Sequence, residues 1–585
     1  MLTQQQESSQ QGYELVIECL RDHFSEEEMQ ASGFLSRPFN SQFRRELSEI
    51  SYKFFKRWYL APYFSEKDGE MHEELNALVE ELVSSPVGIR AAVAWPRGTG
   101  KTTSCDIALP LWLVLTVKYH YMIFIFDSLD AGKAKLRAVK DELEGNSRIL
   151  EDFGNVKGPT WQEAEIITST DILITVLGAQ QPIRGRLYKH WRPQLIVCDD
   201  LEDDRSVRSE VQRIYLRTWF FQAVMMAGGR RRTSSIFYIG TLMHHDCLLA
   251  HLLKHPGFRG KKYAGVTAWA EREDLWEEWR KVYVNLADLD RVNTADAYFQ
   301  AHKEEMLIGA TTSWEGAPYY DLMVERVDIG SSAFATEIQN NPTDPDSRYF
   351  SKISYYRQLV LQSGVWLQPV ELDESTGQWT DIGAMTALDA CRLYMAVDPS
   401  MGQTTTGDPS AIQIVAKSPI DEMFSIEADI KVRRPEKIIS DMLRHMGKYN
   451  LVKIGLESVG FQLLLKMNFD TIAKDKGIDT RHVVGLEKLG NKDMRIETLQ
   501  PDLENGYLRI DISQLILNMQ LEQWPFGAKD DGPDALEMAR TMARMDKVAQ
   551  ASALMMGDMH VYGSLFDPPE IDMSDEPWAP LTVWR

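Results

Sequence analysis

The stretch Ala91-Ala92-Val93-Ala94-Trp95-Pro96-Arg97-Gly98-Thr99-Gly100-Lys101-Thr102 decides how the first half of this chain folds. A short apolar run, a Gly-containing loop and then Gly-Lys-Thr predict a strand, a tight turn and the first turn of a helix. That arrangement gathers backbone N–H groups and a helix N-terminus around a polyphosphate. Arg97, Gly98, Thr99, Gly100, Lys101, Thr102 and Thr103 are therefore the expected nucleotide-binding residues. Lys101 would reach the β/γ-phosphates of ATP and the Thr102 hydroxyl would bind Mg²⁺. The usual G-x-x-x-x-G-K-[ST] pattern lacks its first glycine, since Trp95 holds that position.

Around this loop, short apolar runs at 90–95, 121–126, 171–177, 194–198 and 235–240 alternate with helical patterns, the mark of a parallel α/β sheet. The run Leu195-Ile196-Val197-Cys198 emerges in Asp199-Asp200, followed by Glu202. Asp199 is the expected Mg²⁺-side acid, on a strand placed beside the phosphate loop. Asp200 is the favoured water-polarising base, with Glu202, two positions on and one methylene longer, as the alternative. The strand ending in Gly240-Thr241 offers Thr241 as a polar sensor of the γ-phosphate.

A different pattern begins near residue 393. Three strands in close succession, at 393–397, 411–417 and 423–432, precede a helix at 435–449, a strand at 452–457 and a helix at 461–476. An antiparallel meander joined to a parallel crossover outlines a ribonuclease-H-like sheet. Asp398 and Glu457 stand at two strand ends, and Asp530-Asp531-Gly532-Pro533-Asp534 opens the last helical pattern. Pro533 suits a first helical turn. Two-metal phosphodiester hydrolysis needs three or four carboxylates converging on two cations. Asp398, Glu457, Asp530, Asp531 and Asp534 are thus the candidate ligands of Mg²⁺ or Mn²⁺, with Asp398, Glu457 and Asp531 carrying the catalysis.

The 585 residues exceed one core. The expected division is a helical region at 1–85, an ATPase domain at 86–308, a linker or subdomain at 309–390, a nuclease domain at 391–548 and an acidic, Pro-containing tail at 549–585. Helices are expected at 13–23 and 42–58. Five scattered cysteines without a C-x-x-C pair argue against a zinc site and fit a reducing compartment. No apolar run approaches the roughly 18 residues that span a bilayer, and the Gln-rich start is no secretory signal, so a soluble intracellular protein is expected. The net charge of −22 counts against simple electrostatic DNA binding, but basic residues cluster at 184–192, 230–232 and 431–434.

On these residues the chain resembles the large terminase subunit of tailed double-stranded-DNA bacteriophages, from about residue 85 to 545. The resemblance rests on 96–102, 195–202, 240–246, 397–400 and 530–535, and on their order. It implies an ASCE-type P-loop NTPase followed by a ribonuclease-H-like nuclease. It also implies an ATPase and DNA endonuclease that threads concatemeric double-stranded DNA into a procapsid and cuts it. The implied partners are a portal protein, a small terminase subunit and further copies in a ring, a pentamer in the family, working in the host cytoplasm. A deviant phosphate loop with an early basic residue, here Arg97, is common in such ATPases. The family's trans-acting arginine matches Arg184 or Arg186. A helicase–nuclease of repair or defence is the alternative, but it would need helicase motifs that do not follow Gly240-Thr241.

Overall fold

The computed structural model describes residues 14–546, apart from 20, 22, 32, 35–36, 230–232, 343–348, 374, 400–408, 458–460, 476–479, 487–490, 526 and 528, and without the side chains of 204–205, 457 and 461–467. The acidic tail and the basic run at 230–232 lie outside the described residues.

Ser51 cuts the expected helix at 42–58 into two, Ser41–Ile50 and Tyr52–Tyr59. Its backbone is extended and its hydroxyl accepts the Phe54 N–H at 3.1 Å, so a residue that competes for backbone partners ends one helix and caps the next. Arg44 on the first helix binds the buried Asp152 through Nε at 2.7 Å and Nη2 at 2.5 Å, and Tyr59 on the second donates to Asp152 at 2.6 Å. The pair is thereby fastened to helix Ser147–Phe153.

The first sheet has eight strands among the described residues: β1 (Arg90–Ala94), β2 (Tyr121–Phe126), β3 (Lys157–Trp161), β4 (Glu165–Thr168), β5 (Leu173–Gly178), β6 (Leu195–Asp199), β7 (Ser235–Gly240) and β8 (Arg259–Lys262). Their order is β3-β4-β5-β2-β6-β7-β1-β8. The pairings from β5 to β8 are parallel, and β2, β5, β6 and β7 are buried along their length. That burial is why they read as unbroken apolar runs rather than alternating ones. The sequence pattern places the acid-bearing strand β6 directly beside the phosphate-loop strand β1, but the sheet separates them, with β7 between. This interposed strand is the ASCE arrangement of a P-loop NTPase.

Residues 309–390, expected as a linker or subdomain, divide between the two halves. β9 (Val266–Ala268) pairs with β10 (Thr311–Thr312), and helices Tyr319–Ile329 and Ser331–Glu337 share a small core with Trp279 and Phe299. The next four strands, β11 (Tyr355–Leu361), β12 (Gly364–Asp373), β13 (Gln378–Asp381) and β14 (Thr386–Ala387), join the second sheet. That sheet continues through β15 (Arg392–Asp398), β16 (Ser410–Lys417), β17 (Met423–Lys431), β18 (Leu451–Glu457), β19 (Val483–Leu486) and β20 (Leu508–Asp511). The antiparallel meander β15-β16-β17 and the parallel pairing of β15 with β18 form the expected ribonuclease-H-like centre. Helix Asp531–Met545 packs across β15 and β16. Among the described residues, no helix is long and apolar enough to cross a membrane, and the five cysteines are free thiols.

Candidate nucleotide and nuclease sites

The phosphate loop leaves β1 through Trp95, whose indole donates to the Thr99 carbonyl at 3.3 Å. His72, on helix Glu70–Ser84, reaches the same carbonyl through Nε2 at 2.9 Å while its Nδ1 accepts the Gly69 N–H, which fixes Nε2 as the protonated nitrogen. The Thr99 hydroxyl turns back to the Pro96 carbonyl at 2.8 Å. Where a first glycine would free the backbone, a tryptophan and a histidine clamp the turn instead. Gly98 and Gly100 take φ of +78° and +82°, conformations that L side chains rarely adopt. Thr102 and Thr103 follow at the head of the helix, which is widened between Thr103 and Ala108. Such widened turns are frequent at functional sites. Arg97 points outward to Glu337 at 2.9 Å.

Lys101 is buried and its ammonium binds Asp199 at 2.6 Å and Asp200 still more closely. Burial alone would lower its pKa; the two carboxylates more than reverse this and hold it charged. The reach across β7 depends on Gly240, since a Cβ there would stand 3.0 Å from Asp200 Oδ1. That oxygen accepts the backbone N–H of Thr241 at 3.1 Å, so the Gly240-Thr241 segment and Asp200 are in direct contact. Asp200 itself has a φ of +41°, which swings its carboxylate off the strand axis toward the loop. Asp199 is pushed up by burial, and Lys101 pulls against this. Asp106, on the helix after the loop, is pushed well above the usual carboxylate range by burial and then by Asp199.

Glu202 is elsewhere. Its carboxylate accepts the N–H groups of Leu248 and Leu249 at 2.9 and 3.3 Å and so caps helix Leu248–Lys254. Burial raises its pKa, and those two donors oppose the rise. It faces away from Lys101 because the chain turns at Asp200. Of the two candidate arginines, Arg184 is exposed and held by the Gln222 carbonyl at 2.8 Å. Arg186 turns back to the Pro182 carbonyl at 3.1 Å and lies by Tyr121, at the start of β2 and the opposite end of the sheet from the phosphate loop.

A residue that sequence motifs did not mark completes the first site. Asn340 is fully buried, accepts the Leu242 N–H at 2.7 Å and donates to the Tyr263 carbonyl at 2.9 Å. With Glu337 it ties the segment leading to the second half onto the Arg97 loop and the Leu242 segment of the first.

In the second sheet Val397 pairs with Leu456, which sets Asp398 and Glu457 side by side on neighbouring strand ends. The Glu457 side chain lies outside the described residues. Asp398 and Asp531 are both buried. The Asp531 carboxyl is pushed up to about 6 by burial, Lys492 opposing and Asp398 and Asp530 reinforcing. Asp530 and Asp534, expected as metal ligands, are instead ion-paired. Asp530 binds Lys492 at 2.6 Å, and Asp534 lies 3.0 Å from Arg495 and 3.8 Å from Lys492. Accordingly, among the described residues no three His, Cys, Asp or Glu side chains are close enough together to hold a metal ion. The oxygen donors Asp398 and Asp531 are of the type that a hard divalent cation takes, and the Lys492 ammonium now stands beside them.

No protein-family model matches this chain, and no curated protein does. Solved structures do. The large terminase of a thermophilic bacteriophage is similar over 82% of this chain and 99% of its own, at 10% identity and a TM-score of 0.40. The HK97 bacteriophage large terminase is similar over 81% and 95%, at 13% identity and a TM-score of 0.28. A manganese-soaked human cytomegalovirus terminase nuclease domain is similar over 28% of this chain and 88% of its own, at 12% identity and a TM-score of 0.22. The strand order of the two sheets is that of an ASCE ATPase domain followed by a ribonuclease-H-like domain, and the solved structures that this chain resembles over most of its length are phage large terminases.

Proposed function

We propose that this chain is the motor and nuclease subunit of a viral DNA-packaging machine, hydrolysing ATP to drive concatemeric double-stranded DNA into a procapsid and then cutting it. The observation that carries the reading is the Lys101 ammonium bridging Asp199 and Asp200 across the Gly240 end of β7, in a chain whose second sheet ends in Asp398 and Glu457 on two paired strands. In the first site Lys101 would leave the two acids for the β/γ-phosphates, Asp199 and Thr102 would hold Mg²⁺, and Asp200 would orient the attacking water. Contact between Asp200 and the Thr241 N–H lets the loss of the γ-phosphate reach the sensor segment. Arg184, exposed, is the arginine suited to reach a neighbouring subunit's nucleotide. In the second site Mg²⁺ or Mn²⁺ would supply an activated water and stabilise the leaving oxygen, with Asp398, Glu457 and Asp531 as the groups that hold it. A portal protein, a small terminase subunit and a ring of like subunits, in the host cytoplasm, are the partners and setting of this reading.

The test is ATP-dependent protection of double-stranded DNA from added nuclease by procapsids of the same phage. Protection with the intact chain and none with Lys101→Ala supports the proposal. Nuclease-sensitive DNA in both reactions contradicts it.

A further inference from the structure

One six-residue helix, Lys492–Glu497, joins the two sites. From its first residue the Lys492 ammonium binds Asp530 at 2.6 Å, approaches Asp534 at 3.8 Å and is drawn by Asp398. One turn on, Arg495 binds Asp534 at 3.0 Å and Glu537 at 3.1 Å. From its last residue Glu497 takes a two-pronged bond from Arg208 of the ATPase domain, one prong at 2.6 Å. Arg208 ends helix Asp204–Arg208, only eight positions beyond Asp200. The next helix, Glu210–Trp219, is bound through Arg213 and Arg217 to Asp246, just past the Thr241 sensor segment, at 3.1 and 3.3 Å. The helix that carries Lys492 is thus gripped by the segment running between the two ATP-sensing elements.

We propose that Lys492 is a latch on the nuclease: paired with Asp530 beside Asp398 and Asp531, its ammonium supplies the positive charge where a divalent cation must bind, and the Arg208–Glu497 pair lets the ATPase domain set or release it. The proposal rests on the nuclease reading of Asp398 and Asp531. Its physical basis is charge. An ammonium among carboxylates satisfies them as a cation would, and a doubly charged ion cannot enter beside it without strong repulsion. Lys492 is only partly buried, with 37% of its side chain accessible, so it can withdraw to water without unfolding the helix. Such a device would keep DNA uncut while the ATPase domain cycles.

The test is Mn²⁺ binding to the nucleotide-free full chain, followed by the electron paramagnetic resonance of free Mn²⁺. Sites that vanish in Asp398→Asn are counted as nuclease sites. Lys492→Met should tighten those sites at least about tenfold, and Arg208→Gln should tighten them by a smaller factor. The exchanged pair Arg208→Glu with Glu497→Arg should return the affinity toward that of the unaltered chain. Unchanged Mn²⁺ affinity in Lys492→Met overturns the latch, and unchanged affinity together with lost DNA binding would make Lys492 a substrate contact. Tightening in Lys492→Met but none in Arg208→Gln overturns the link to the ATPase domain. No Asp398-dependent Mn²⁺ site at all overturns the nuclease reading itself.

Discussion

Glu202→Ala leaves the Leu248 and Leu249 N–H groups without the carboxylate that now accepts from both, at 2.9 and 3.3 Å. A buried donor deprived of its partner costs about 1–3 kcal/mol, and a lost helix cap about 1 kcal/mol. The two penalties overlap here, and the removed charge was itself costly to bury, so a net loss of about 2–4 kcal/mol is expected. In a domain of this size that lowers Tm by roughly 5–15 °C. Glu202→Gln keeps one acceptor oxygen and should lose only about 1 kcal/mol, with ATP turnover close to that of the unaltered chain. Asp200→Asn should behave in the opposite way. Its side chain is 48% accessible, so the bond to Lys101 is screened and contributes under about 1 kcal/mol. Its kcat should fall roughly 10²-fold or more, as loss of a positioned base does. Thermal unfolding by circular dichroism and phosphate release measured on the same preparations separate the two effects. If Glu202→Gln loses 10²-fold in kcat at unchanged Tm while Asp200→Asn turns over normally, the assignment of cap and base is wrong.

Three further outcomes are expected. Arg44→Ala leaves the buried Asp152 with only the Tyr59 hydroxyl and Glu151 as a like charge nearby, and should cost about 3–5 kcal/mol in chemical denaturation; a loss under about 1 kcal/mol would mean that the N-terminal helices are not anchored there. Asn340→Ala removes both bonds that tie Leu242 and Tyr263 together, so ATP turnover should drop several-fold while nucleotide still binds; unchanged turnover would free the sensor from this contact. A fragment of residues 349–548 contains every strand of the second sheet and should fold alone and nick DNA with little sequence preference, which a cooperative unfolding curve and a plasmid assay with and without EDTA would establish or refute.

Much of this architecture was legible locally. β1, β2, β6 and β7 are buried on both faces, so each appears as an apolar run, and the loop and acids that follow them lie within a few residues of those runs. The meander β15-β16-β17 and the position of Asp398 and Glu457 at strand ends were readable for the same reason. What could not be read depends on distant partners. The place of β7 between β1 and β6 is a matter of which strands pair, and the direction of the Glu202 carboxylate depends on the donors of a helix more than forty residues away. Asn340 sits in a Gly-, Asn- and Pro-containing stretch that resembles a linker, yet its φ of +48°, which asparagine tolerates, goes with an amide bonded at both ends to the first half, at Leu242 and Tyr263. Lys492 and Arg495 belong to no motif. Their role emerges only when the fold lays their helix against Asp530 and Asp534.

The claim that one chain carries an ATPase and a separate metal-dependent nuclease is tested most directly by a crossed assay. ATP hydrolysis and plasmid cleavage are measured on the intact chain, on Lys101→Ala and on Asp398→Asn, each in Mg²⁺ or Mn²⁺ and again in EDTA. The account predicts that Lys101→Ala abolishes ATP hydrolysis but still nicks DNA, that Asp398→Asn hydrolyses ATP but cuts nothing, and that EDTA stops cutting. Cleavage that survives EDTA or Asp398→Asn, or ATP turnover that survives Lys101→Ala in a folded protein, would contradict it.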